Sequence, residues 1–191
     1  MSQYTPPLRE MQFVLHELLE VESRFSTLTG HEEVNRELID QVLEEGGKFC
    51  AEVLAPLNRS GDEEGCHLGA DGAVTTPAGF KEAFHQFTEA GWPSLSCTPE
   101  FGGQGLPKLL ATPCIEILNA ANLSFALCPL LTDGAIEALL TAGSDELKQR
   151  YIPKMVSGDW TGTMNLTEPQ AGSDLALVRS RAVPQGDDTF K

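Results

Sequence analysis

The stretch GTMNLTEPQAGSDLALVRSRA, residues 162–182, contains the change of pattern that decides the fold. Residues 160–167 partly alternate apolar and polar side chains and are predicted to form a strand, as are residues 176–183. The turn between them is rich in small residues: Pro169, Ala171, Gly172 and Ser173. Such a turn either only reverses the chain or lets a ligand approach the backbone closely.

Upstream of residue 158, the apolar residues follow a helical period. Residues 7–21 and 31–56 are predicted to form two amphipathic helices. Gly46 and Gly47 are expected to kink or interrupt the second helix, because glycine costs about 1 kcal/mol relative to alanine inside a helix. Residues 58–77 are predicted to be a loop, since they are rich in glycine and acidic residues and poor in apolar ones.

A third helix is predicted to begin with Thr76 as its N-cap and Pro77 at its first helical position. Its apolar stripe consists of three phenylalanines, which we expect in the core rather than in a stacking platform: Phe80, Phe84 and Phe87. Gly91 is expected to follow the end of this helix.

Residues 99–107, PEFGGQGLP, indicate a tight loop, and no strand leads into it as a dinucleotide-binding fingerprint requires. Two helices with few charges, at 108–121 and 124–142, are expected to be buried among other helices. Ser144 is predicted to cap a final helix, whose first turn is acidic. The sequence thus predicts a mainly α fold that is followed by the first strands of a β domain.

The end of the chain bears on its domain organisation. A sheet of two strands is not independently stable. We therefore expect the sequence to stop inside a β domain, either because it is a truncated piece of a longer protein or because the missing strands come from elsewhere. Truncation is the favoured interpretation.

The charge balance limits the classes of partner. With 13 basic and 28 acidic residues, the formal net charge is −15. This excess argues against nucleic acid and anionic membrane surfaces, because phosphate binding is driven by lysine and arginine. It is compatible with a small anionic ligand that is held by backbone N–H groups or by one well-placed cation.

The remaining composition predicts a reduced, cytoplasmic protein. Five cysteines contain no CxxC pair, and four histidines show no metal-ligand spacing, so no metal site is expected. The N-terminus shows no signal-peptide pattern. No apolar stretch is expected to reach the roughly 20 residues that cross a bilayer, so no membrane span is predicted.

Taken together, these segments resemble the acyl-CoA dehydrogenase superfamily. The resemblance rests on PEFGGQGLP, on AGSDELKQRYIPKMVSGDWTGTMNLTEPQAGSDL and above all on the run LTEPQAGSDL at residues 166–175. It covers nearly the whole chain. The opening YTPPLREMQFVLHELLE, the APLN turn and MNLTEPQAGSDL further resemble the branch that includes methylmercaptopropionyl-CoA dehydrogenases.

The resemblance implies a helical N-terminal domain over residues 1–158 and the start of a middle β domain over residues 159–191. It implies FAD as cofactor, an acyl-CoA thioester as substrate, and an electron-transfer flavoprotein or similar electron acceptor. It also implies a homodimer or homotetramer for the full-length protein. The catalytic carboxylate would lie in a C-terminal helical bundle outside these residues, so Glu168 is assigned no catalytic role.

The same resemblance implies which residues of this chain meet the ligands. Met164, Leu166 and Thr167 would lie along the flavin, where a backbone or hydroxyl donor stabilises the charge that develops on reduction. Gly172 and Ser173 would meet the pyrophosphate, and Ser173 is also expected at the substrate. Leu127 and Leu131 would line the acyl end of the pocket or pack only in the core. Family members often carry an aromatic residue at the position of Met164 and glycine at that of Gln170.

Two alternatives are left open by the sequence. One is an acyl-CoA oxidase on the same scaffold, which differs in oxygen access. The other is a non-catalytic helical domain for binding or assembly, in which TEPQAGSD would be only a structural turn. The absence of a basic stripe argues against a DNA-binding role.

Overall fold

The structure is a computed structural model that describes residues 4–187 and 189–191, and it is dominated by helices. The helices follow one another along the chain in this order: α1 Leu8–Gln12, α2 Val21–Phe25, α3 Arg36–Phe49, α4 Ala55–Glu64, α5 Phe80–Glu89, α6 Lys108–Ala121, α7 Leu123–Ala142 and α8 Asp145–Val156. Short 3-10 turns lie at Trp92–Ser94, Pro99–Phe101 and Leu175–Leu177. The mainly α fold class is confirmed.

The first predicted helix, 7–21, exists but is not a regular α-helix. After α1 the chain widens into a π turn over Phe13–Leu18, where the Leu19 N–H donates to the Val14 carbonyl at 2.9 Å. Glu20 then adopts a left-handed conformation with φ of 49° and separates this turn from α2. Of the apolar residues at helical spacing here, Met11 and Leu15 are buried, whereas Val14 and Leu18 are exposed, since the wider turn shifts which positions face the core.

The second predicted helix begins later and continues further than expected. Asn35 caps α3 by accepting from the Leu38 N–H at 3.0 Å, and a π turn over Cys50–Leu54 joins α3 to α4. The predicted loop 58–77 is therefore wrong up to Glu64. The prediction of a break at Gly46 and Gly47 is also wrong, because both are buried inside α3.

Close packing explains why glycines stand inside these helices. A Cβ on Gly46 would lie 3.1 Å from the Trp92 ring. A Cβ on Gly61, in α4, would lie 2.5 Å from the Phe80 ring. The backbone entropy that glycine costs in a helix is thus offset by contacts with aromatic rings from other elements.

A small hairpin replaces the rest of the predicted loop. Strands β1 His67–Leu68 and β2 Val74–Thr75 pair antiparallel, with His67 opposite Thr75. The predicted cap of the third helix is wrong: α5 begins at Phe80, after Gly79 at a φ of 83°. Thr76 and Pro77 precede this turn, and the Pro77 carbonyl accepts from the Phe80 N–H.

The main core lies between α1, α2, α3, α5, α6 and α7, and a second buried cluster joins α7 to α8. Phe87 and Phe125 meet edge to face with ring centroids 5.7 Å apart, and Phe84 packs beside both. The phenylalanine stripe therefore lies in the core, as predicted. Gly91 follows α5 with a φ of 79°, and Ser144 caps α8, so both predicted helix ends are confirmed.

Helices α6 and α7 occupy the predicted positions, but α7 corrects one expectation. Its 20 residues are long and apolar enough to cross a membrane, with a mean hydropathy of 1.5, so a span-length apolar stretch does exist. By length and composition alone this is weak evidence for a span. In the described fold, α7 packs against α4, α6 and α8.

The two strands predicted at 160–167 and 176–183 do not form. Within residues 159–187 and 189–191, backbone pairing is limited to isolated bridges, Glu168 with Ala171 and Pro184 with Phe190. Leu175–Leu177 is a 3-10 turn. A strand needs a neighbouring strand to satisfy its N–H and C=O groups. The part of the chain that the structure describes places no such neighbour beside this segment.

Candidate functional site

The segment that follows α8 is anchored to the helical domain at Trp160. Its N–H donates to the Lys154 carbonyl at 3.0 Å. Its ring lies 5.8 Å from the Tyr151 ring, and the Lys154 ammonium sits 4.1 Å from the ring centroid. The tilted ring contact and the cation–π contact hold the start of the segment on the last turns of α8.

A second anchor lies two residues further on. The Gly162 N–H donates to the Thr132 Oγ1 of α7 at 3.1 Å, and Thr132 in turn donates to the Cys128 carbonyl at 2.9 Å. Thr132 is buried, whereas Gly162 lies at the edge of the domain. The segment therefore leaves the helices at a fixed point on α7.

Residues 163–167 then run out along the surface. Met164 and Leu166 are 60% and 50% exposed, and Thr167 is exposed as well. In the described part of the chain, none of the five backbone N–H groups has a recorded protein partner. Free N–H and C=O groups beside apolar side chains fit a flat ligand with hydrogen-bonding edges.

The small-residue turn comes directly afterwards and is well defined. Glu168 and Ala171 exchange two backbone hydrogen bonds of 3.0 Å each, and Ala171 is buried. Gly172 and Ser173 are exposed, and a Cβ built on Gly172 would meet nothing within 4 Å. The backbone at Gly172 is thus open to a ligand, which suits the role predicted for it.

Polar side chains fix both ends of this turn. Glu168 accepts a hydrogen bond from Ser180 at 2.9 Å, and Asp174 accepts from the Ala176 N–H at 3.1 Å. Glu168 is therefore part of the turn's structure.

Two of the predicted substrate residues, Leu127 and Leu131, lie on α7. Leu127 is 49% exposed and Leu131 is half-buried. Together with exposed Leu123 and Leu130, Leu127 makes an apolar surface strip on α7. A core-only role for Leu127 is not supported by this exposure.

A cavity that the sequence did not predict lies between α3, α5, α6 and α7. Its volume is about 90 Å³, and Trp160 and Thr161 stand at one side of it. Its lining is mostly apolar and includes Phe49, Phe84, Cys50, Cys114 and Met155. The only sequence signal for it was the phenylalanine stripe, which also fits a filled core.

Two thiols facing this cavity are held in their neutral form. Burial raises the pKa of Cys50 to about 12, with a smaller contribution from the nearby Cys114. Burial also raises the pKa of Cys114 to about 11. Because the thiolate is the reactive species, these cysteines are poor nucleophiles at neutral pH.

An ion-pair cluster ties the start of α6 to α7. Lys108 Nζ lies 2.9 Å from both Asp133 Oδ1 and Glu137 Oε1. Burial lowers the pKa of Lys108, but hydrogen bonds to the two carboxylates outweigh it and leave the pKa raised. Because Asp133 and Glu137 belong to α7, these ion pairs help to fix the helix that carries Thr132. Asp133 also borders the cavity.

One histidine is structural. His16 is buried, and its ring nitrogens lie 2.5 Å from Glu22 Oε1 and 2.8 Å from Asp40 Oδ1. It links the π turn to α2 and α3. Within residues 4–187 and 189–191, no group of three or more histidine, cysteine or acidic side chains is placed to hold a metal ion.

Comparison with known proteins gives consistent matches. The model of the acyl-CoA dehydrogenase N-terminal domain matches residues 33–159. The 3-methylmercaptopropionyl-CoA dehydrogenase of Ruegeria pomeroyi is 48% identical over 187 residues, covering 98% of this chain and 32% of the relative. A butyryl-CoA dehydrogenase of Syntrophomonas wolfei is 34% identical, covering 95% of this chain and 30% of the relative.

A solved structure shows the same fold. An acyl-CoA dehydrogenase complexed with FAD from Bacillus anthracis superposes with a TM-score of 0.58 at 23% identity, covering 79% of this chain and 24% of that one. The chain spans about a third of the length of the curated relatives it matches.

Proposed function

The chain belongs to the acyl-CoA dehydrogenase family, and from that premise we propose that it forms the N-terminal part of an FAD-dependent acyl-CoA dehydrogenase. Residues 1–158 would be the helical domain and residues 159–191 the beginning of the middle β domain. The match of the N-terminal domain model to residues 33–159 supports this division. The coverage of about a third of the relatives supports the interpretation as part of a longer protein.

The observation that carries the proposal is the open backbone of residues 163–167, followed by the open turn at Gly172. In the proposed site, main-chain groups of this segment and the Thr167 hydroxyl bind the pyrimidine edge of the flavin. Met164 and Leu166 supply apolar contact area. Gly172 and Ser173 receive the pyrophosphate, where the lack of a side chain at Gly172 permits close approach.

When bound, FAD supplies the hydride acceptor for α,β-desaturation of an acyl-CoA thioester. The residues of this chain hold and orient the ligands. A donor from residues 163–167 favours the electron-rich form of the ring, and an apolar surface keeps water away from it. We assign no catalytic base to this chain, since the family resemblance puts it in a C-terminal bundle.

The apolar strip on α7 is proposed to face the acyl end of the substrate, with Leu127 and Leu131 contributing and Ser173 near the thioester. Electron-transfer flavoprotein or a similar protein would reoxidise the flavin, in a homodimer or homotetramer of the full-length protein. A cytoplasmic location is proposed because the cysteines of the described chain are all free thiols.

Backbone NMR of the 191-residue chain tests this function directly. Half of a cofactor site is expected to bind weakly, so FAD is titrated to millimolar concentration while the amide shifts are followed. The expected result is a set of shift changes concentrated in residues 163–173. Changes confined to other regions, or no changes at all, would contradict the proposed cofactor site and favour a non-catalytic helical module.

Two variants sharpen the test. Gly172→Val should abolish the shift changes without lowering the melting temperature, because a Cβ there meets no atom within 4 Å. Thr167→Val should weaken FAD binding about 5-fold or more, the worth of one hydrogen bond of roughly 1 kcal/mol. The matched control is Thr27→Val, which removes an exposed hydroxyl that bonds only within its own turn, to the Arg24 carbonyl.

A further inference from the structure

The hydrogen bond from Gly162 to Thr132 joins two parts of the proposed site that are 30 residues apart in sequence. Thr132 lies on the helix that carries the apolar strip. Gly162 is the residue immediately before the proposed flavin-facing segment 163–167. No other recorded hydrogen bond connects residues 162–167 to α7 in the described part of the chain.

The packing around Gly162 shows that this is a close approach of two backbones. A Cβ on Gly162 would lie 2.5 Å from the Ala135 Cβ, 3.2 Å from the Thr132 Cα and 3.4 Å from the Leu131 carbonyl oxygen. Two of these three atoms belong to the α7 backbone and cannot rotate away. Any side chain at position 162 would therefore push the segment off the helix.

Thr132 is also held in one orientation. It is buried, and its hydroxyl donates to the Cys128 carbonyl one turn back, which leaves the oxygen lone pairs to accept from Gly162. The acceptor is thus held in one orientation at the point where the segment meets α7.

We propose that Thr132 and Gly162 form a latch that positions residues 163–167 on α7 and so sets the spacing between the flavin-facing backbone and the apolar strip. The assignment of flavin to residues 163–167 rests on the proposed function. Trp160 holds the segment to α8, and the latch, two residues later, sets the direction in which the chain leaves. Thr132 is a positioning residue that touches neither proposed ligand.

Amide hydrogen exchange on the 191-residue chain tests the latch without any cofactor. Thr132→Val removes the hydroxyl at nearly constant volume, and Thr132→Ser keeps it. The Gly162 amide should exchange about fivefold faster in Thr132→Val and nearly as in the parent chain in Thr132→Ser, because one net hydrogen bond of roughly 1 kcal/mol is worth about that factor. Unchanged exchange in Thr132→Val, or equal loss in both variants, would overturn the proposal.

Thr112→Val, on α6, is the matched control for losing a threonine hydroxyl bond within a helix. Thr112 donates to the Lys108 carbonyl at 2.9 Å, the same one-turn bond within a helix, but is exposed and makes no recorded bond to the segment. It should leave the Gly162 amide unchanged. Faster exchange at Gly162 in this control would show that losing any such bond within the helical domain exposes the amide, and would count against the latch.

Gly162→Ala tests the close approach independently, with Gly134→Ala in α7 as its control, because a Cβ at position 134 meets nothing within 4 Å. Gly162→Ala should change amide shifts throughout 163–167, whereas Gly134→Ala should not. Shift changes confined to the substituted residue would count against the latch.

FAD titration separates this inference from the proposed function. If the parent chain shows FAD-dependent shifts, Thr132→Val should weaken them several-fold and Thr132→Ser should not. If the parent chain shows none, the flavin assignment fails and the exchange data alone decide whether the latch exists.

Discussion

Asn122 is a buried junction between helices, and its replacement gives the sharpest stability prediction. Its side chain is fully buried. The Oδ1 atom caps α7 by accepting from the Phe125 N–H at 3.0 Å, and Nδ2 donates to the Leu54 carbonyl at 3.2 Å. One amide therefore starts α7 and fixes it to the end of the π turn between α3 and α4.

The expected loss of folding stability in Asn122→Ala has two parts. Replacing an asparagine N-cap by alanine costs about 1 kcal/mol. The second bond lies where water is excluded, so losing it costs roughly 1–3 kcal/mol more. We expect Asn122→Ala to lower the free energy of unfolding by about 2–4 kcal/mol, which for a chain of this size corresponds to a melting temperature lower by roughly 6–12 °C.

Urea unfolding followed by circular dichroism measures this directly. Asn35→Ala is the matched control, because Asn35 caps α3 through Leu38 with the same 3.0 Å geometry but is exposed and makes no recorded bond to another helix. It should cost only about 1 kcal/mol. Equal costs for the two variants would refute the reasoning that the bond to Leu54 stabilises the junction.

Two further predictions follow from packing and from burial. Gly61→Ala should destabilise the chain by about 1–2 kcal/mol in urea unfolding despite alanine's better helix propensity, because its Cβ would overlap the Phe80 ring; an increase in stability would show that the ring moves freely. The thiol of Cys114, with a pKa of about 11, should react with Ellman's reagent far more slowly than exposed Cys66 at pH 8. Its rate should rise by about 100-fold between pH 8 and pH 10, since the thiolate fraction grows with pH below the pKa; a flat profile would contradict a neutral buried thiol.

Helix positions with a strong apolar period were predictable from the sequence. The buried stripe of α5, the low charge of α6 and α7, and the serine cap of α8 each depend on residues close together in the chain. The errors arose where a distant residue decides the structure. Gly61 suggested a loop by composition, but it lies inside α4, where the distant Phe80 ring packs against it.

The predicted strands were wrong for a related reason, because a strand depends on a partner that is not adjacent in the chain. Residues 160–167 and 176–183 have partly alternating side chains, but a strand needs a partner to exist. The candidate site, too, was only partly evident from the sequence. The run LTEPQAGSDL was evident from residue order alone, whereas Thr132 carries no motif and is connected to Gly162 only by the fold.

The position of α7 in the chain has a consequence for how the protein is made. By length and hydropathy this helix could be taken for a membrane span as it leaves the ribosome. Two of the three helices that pack against it, α4 and α6, are synthesised earlier and can already be folded. Because of this order of synthesis, the nascent apolar segment can pack against α4 and α6 as it emerges, instead of remaining exposed to water, lipid or a targeting factor.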